Sequence, residues 1–118
     1  MKGYLSAATA ATLLILPTVA SAQSSGLASM HAQKRVGNKI CMVDHYHNGS
    51  SSGERSRKAA EVAAIRSWES FTAWEYGPAW GSFKLADGKT MNCGQVAGSW
   101  SCDTAARPCQ AAGPARRR

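Results

Sequence analysis

Three stretches of the chain carry a readable pattern of apolar and polar positions. The first is "KICMVDHYH", residues 39–47. In an extended segment Ile40, Met42 and Asp44 point one way, and Cys41, Val43, His45 and His47 the other. This alternation predicts a strand ending near Tyr46, before the turn-like "NGSSSG". The second stretch, "RKAAEVAAIRSWESFTAWEY", repeats at helical spacing. Ala64, Ile65, Trp68, Phe71 and Thr72 form one stripe, while Arg57, Lys58, Arg66, Glu69 and Ser70 lie largely off it. Alanine is frequent there and glycine and proline are absent, so intrinsic propensity also favours a helix. Ser51 and Glu54 have the spacing of a capping box, with Ser56 as the alternative cap. Gly77 and Pro78 stop the helix, glycine by accepting positive φ and proline by lacking an N–H.

The third stretch begins at Ala79. A short second helix to Ala86 would carry Trp80, Phe83 and Leu85, although Gly81 weakens it. Asp87-Gly88 signals a turn, and "KTMNC" and "GSWSC" read as strands joined through "GQVAG". The predicted fold is α+β: one long helix packed on a small antiparallel sheet, in the order β-α-(α)-β-β. A hairpin and a helix that each expose one apolar face bury both surfaces most simply in this way.

The ends differ from this core. Lys2, the apolar run from Tyr4 to Ala20 and the small-x-small exit Ala20-Ser21-Ala22 describe a signal peptide over residues 1–22. The apolar run is short and broken by Thr9, Thr12 and Pro17, which makes a poor membrane span. Cleavage after Ala22 would leave Gln23 as the new N-terminus and no transmembrane segment. Residues 23–37 are polar and small and read as a flexible arm; residues 110–118 read as a basic flexible tail. The disulfide-stapled domain is therefore expected at residues 38–109.

All four cysteines fall inside that domain: Cys41, Cys93, Cys102 and Cys109. An even number in a short exported chain reads as a disulfide framework. Of three possible pairings, Cys93 with Cys102 closes a short loop around the hairpin, and Cys41 with Cys109 ties the start of the domain to its end. A four-cysteine zinc site is disfavoured, because no C-x-x-C pair occurs and the spacing is irregular. The elements "C…DHYHNGSSSG", "KAAEVAAIRSWESFTAWEYGPAW", "KTMNC" and "WSCDTAARPC" together resemble a group of small exported proteobacterial proteins of unestablished function. The resemblance covers residues 41–109. It implies a self-contained periplasmic or extracellular module and assigns no role to any residue.

Candidate chemistry is sparse. His45 and His47 share a face of a regular strand and are candidate ligands for Zn²⁺ or Cu²⁺, given a third donor. Asp44 faces the other way, His31 reaches the pair only if the arm folds back, and nothing places Glu61 or Glu75 there. His45, His47 and Arg55 also contain the parts for acid–base cleavage of RNA. The serines at 50–52 suit turns and caps better than attack chemistry, and no phosphate loop or H-E-x-x-H occurs. Trp74, Tyr76 and Trp80 are a candidate aromatic platform for a ligand.

The whole chain has 118 residues and a formal charge of +7. Lys34, Arg35, Lys39, Arg55, Arg57, Lys58 and the Arg116–Arg118 run make it basic, so anionic cell-envelope components are the expected partners; nucleic acid is not expected. The reading is an envelope-binding or structural module, non-enzymatic and without a cofactor. The alternative is a metal-binding protein or small hydrolase using His45 and His47.

Overall fold

The computed structural model describes residues 24–113. The signal peptide expected over residues 1–22, Gln23 and the terminal arginines lie outside the described residues. The long helix, α2, runs Arg57–Tyr76. Ser56 caps it: its hydroxyl accepts from the Ala59 N–H at 3.1 Å. Gly77, at φ 105°, ends it, and its N–H donates to the Ala73 carbonyl at 2.9 Å. The buried stripe is Ala60, Ala64, Trp68, Thr72 and Tyr76, at a strict four-residue spacing. Phe71, expected within the stripe, is exposed instead. The stripe's centre is rotated away from it.

α2 packs on a three-stranded antiparallel sheet formed by β3 (His47–Glu54), β4 (Asp87–Val96) and β5 (Ser99–Arg107), in the order β3-β5-β4. "NGSSSG" is therefore strand rather than turn. Its Gly49 sits beneath the helix, where a Cβ would meet the Ala64 carbonyl oxygen at 2.3 Å. Only glycine allows that approach. Ser51 is the sheet-to-helix link rather than a cap: its hydroxyl donates to the Ala60 carbonyl at 2.7 Å and accepts from the Cys102 N–H at 3.1 Å.

The arm is structured where it was expected to be flexible. It contains a helical turn, α1 (Gly26–Ser29), and a strand, β1 (Gln33–Val36). β1 pairs with β2 (Lys39–Met42), which pairs with β6 (Cys109–Ala111) in a second antiparallel sheet. β6 carries the order two residues into the segment expected to be tail. The strand expected over residues 39–46 thus breaks after Met42, and the chain crosses from one sheet to the other before His47. The expected second helix is a single 3₁₀ turn, Pro78–Trp80. The turn expected at Asp87-Gly88 lies within β4, at an irregularity in its pairing.

Two disulfides join this frame, Cys41–Cys109 across β2 and β6 and Cys93–Cys102 across β4 and β5. Three small clusters form the core. Ala60, Ala64 and Cys102 pack with Met91 and Trp100; Trp68, Ala86 and Ala106 with Phe83; Ala28, Met42, Tyr76 and Trp80 with Ile40. The last joins the arm and second sheet to the C-terminal end of α2. No helix among the described residues is long and apolar enough to cross a membrane.

Candidate functional site

All three histidines gather at that end of α2. His47 opens β3 and is 5% exposed. Its Nδ1 lies 2.9 Å from the Thr72 hydroxyl, and its Nε2 lies 3.2 Å from the Glu75 carboxylate. A carboxylate only accepts, so Nε2 carries the proton and Thr72 donates to Nδ1. Both nitrogens of the neutral ring are then committed. Burial holds its pKa below the ordinary histidine value; the Glu75 charge opposes that shift, and His45 and His31 reinforce it. His47 stacks on Tyr76 with ring centroids 4.8 Å apart and touches Phe71 at 4.9 Å.

His45 does not pair with His47. It lies in the irregular crossing between β2 and β3, where the two-residue alternation of a strand no longer holds. Its partner is His31, which precedes β1; their ring centroids are 4.0 Å apart. The arm folds back through the β1–β2 pairing, and the Val43 N–H extends that ladder by donating to the Ala32 carbonyl at 2.9 Å. The polar arm offered no apolar pattern from which this contact was legible. Glu75 reaches His47, while Glu61 pairs with Arg57 on the far end of α2 at 3.2 Å. Arg55 stands beyond the other end of β3, roughly 25 Å from His47 at strand rise. The set required for RNA cleavage is not assembled.

The aromatic platform also changes composition. Tyr76 and Trp80 are fully buried, and burial together with the Glu75 charge raises the Tyr76 phenol. Trp74 alone of the three is open, at 79% exposure, with Phe71 beside it at a ring separation of 6.2 Å.

No known family, curated protein or solved structure matches this chain. Its chemistry therefore rests on its own geometry. Among the described residues, Cys41, Asp87 and Cys109 are the metal-ligand atoms that crowd together in a group of three. Both sulfurs are spent in a disulfide and Asp87 is paired with Lys39, which leaves no thiolate to bind an ion. Away from the histidines, the solvent face of α2 presents Lys58, Val62, Arg66, Ser70 and Trp74, all exposed and four residues apart. That row spans about 24 Å along the axis and winds about 160° around it, alongside the buried row. An open groove of ≈ 600 Å³ runs along its first half, lined by Glu54, Ser56, Lys58, Val62 and Arg66.

Proposed function

We propose that the chain is an exported, non-enzymatic binding module of the cell envelope, and that it engages an anionic envelope glycan along the solvent face of α2. The observation that carries this reading is Trp74, 79% exposed, on the same solvent-facing row of every fourth residue as the cations Lys58 and Arg66. An indole held open on a rigid helix offers a stacking face for a sugar ring. The two cations and the net positive charge, +7 for the whole chain and one less once Lys2 leaves with residues 1–22, supply long-range attraction. The two disulfides support export. The commitment of both His47 nitrogens argues against acid–base chemistry at that residue.

Fluorescence titration with lysozyme-released peptidoglycan fragments tests the reading. Quenching is expected in the parent protein and lost in Trp74→Ala. The Lys58→Glu/Arg66→Glu variant should bind more weakly, and added salt should weaken the parent in the same way. Equal affinity in all three proteins would contradict it.

A further inference from the structure

We propose that His31 and His45 form a binding site for a divalent transition-metal ion, Cu²⁺ or Zn²⁺, with water completing the coordination. The site is separate from the glycan face. Imidazole is a preferred ligand for both ions.

Four features build the site. The rings come from two segments held together by main-chain pairing: Gln33 opposite Met42 in β1 and β2, then the Ala32–Val43 hydrogen bond one residue further out. β2 is itself fixed to β6 through Cys41–Cys109. Both rings are half-buried, so an ion has access from solvent. Among the described residues neither ring makes a hydrogen bond, in contrast to His47, whose two nitrogens are both engaged.

The spacing suits an ion. With metal–nitrogen bonds of about 2.0–2.1 Å, two imidazoles set at 90–110° place their centroids roughly 4.5–5 Å apart. The observed 4.0 Å requires the rings to part by less than about 1 Å, a side-chain rotation that no hydrogen bond opposes. His47 stays outside the coordination sphere. It supports the wall of the site, since Tyr76 contacts His31 on one side and stacks on His47 on the other.

The test is native mass spectrometry of the untagged, oxidised protein with Cu²⁺ or Zn²⁺, followed by competition against a chromophoric chelator. One ion per chain is expected. His31→Ala and His45→Ala should each weaken binding at least about tenfold, whereas His47→Gln should leave it within about threefold if it folds. A measurement on the parent protein needs no variant: on adding Zn²⁺, the imidazole ¹⁵N resonances of His31 and His45 should move and those of His47 should not. No retained ion, undiminished binding in the His31→Ala/His45→Ala double variant, or resonance shifts confined to His47 would each overturn the site.

Discussion

Gly49→Ala adds one methyl group where the helix lies directly on the sheet. The new Cβ would stand 2.3 Å from the Ala64 carbonyl oxygen, 2.7 Å from the Trp68 nitrogen and 2.8 Å from the Trp68 Cβ. Two of these are backbone atoms and the third is fixed to backbone, so no rotamer change relieves the clash. Ordinary contact begins near 3.4 Å, and α2 must therefore retreat from β3 by about 1 Å. Ala64 and Trp68 belong to two different core clusters, so the movement loosens both. Overpacking of this kind destabilises by roughly 1–3 kcal/mol, and a backbone clash belongs at the upper end. The lower entropy of an alanine-containing unfolded chain offsets about 0.4–1 kcal/mol of that. A net loss of about 2 kcal/mol lowers Tm by roughly 8–16 °C in a domain of this size. Thermal melts followed by circular dichroism measure the change. Gly94→Ala, in β4 with nothing within 4 Å of its Cβ, is the control and should lose nothing. A Gly49→Ala protein within about 0.5 kcal/mol of the parent would refute the close helix–sheet contact.

Three further outcomes follow from the same frame. His47 is held neutral in the folded protein while the unfolded chain takes up a proton near pH 6.5, so its contribution to stability is full above that pH and lost as pH falls below it. Urea melts should show a steeper acid loss in the parent than in His47→Gln; identical pH slopes would count against this. Removing Cys41–Cys109, which closes 68 residues, should destabilise by about 4 kcal/mol, against about 2–3 kcal/mol for Cys93–Cys102, which closes 9. A larger loss from the short loop, measured with paired Cys→Ser variants, would reverse that order. Ser51→Ala leaves the Ala60 carbonyl and the Cys102 N–H without their shared partner, and urea denaturation should register a loss of about 1–3 kcal/mol; an unchanged midpoint would mean that neither bond matters.

The parts of the fold legible in the sequence were those set by local chemistry. The helix bounds followed from helical periodicity, from the absence of glycine and proline, and from the stop at Gly77-Pro78. The cysteine pairing followed from which chain segments a closed loop brings together. The parts that escaped were set by distant partners. β1 is an exposed edge strand of sequence QKRV, three of its four residues polar or charged, and it is ordered by pairing with β2 rather than by an apolar face. β3 shows no apolar alternation because its helix-facing positions are His47, Gly49 and Ser51, two polar side chains and a glycine whose use is the absence of one. The break after Met42 turned His45 away from His47 and brought His31 to it. On α2, a rotation of the buried stripe decided which aromatic side chains were open: Tyr76 turned inward and Phe71 and Trp74 outward. Sequence periodicity fixes such a phase only to within a neighbouring residue.

The most direct test of the proposed binding face is the set of indole N–H resonances. The chain has four tryptophans, one resonance each. Trp68 donates to the Ala106 carbonyl inside the core and Trp80 to the Ser24 hydroxyl, while Trp74 is open to solvent. Titrating ¹⁵N-labelled protein with peptidoglycan fragments should move the Trp74 indole together with the backbone signals of Arg66 and Ser70, and leave Trp68 and Trp80 in place. Shifts that spare Trp74, or no shifts at all, would contradict an envelope-glycan face on α2.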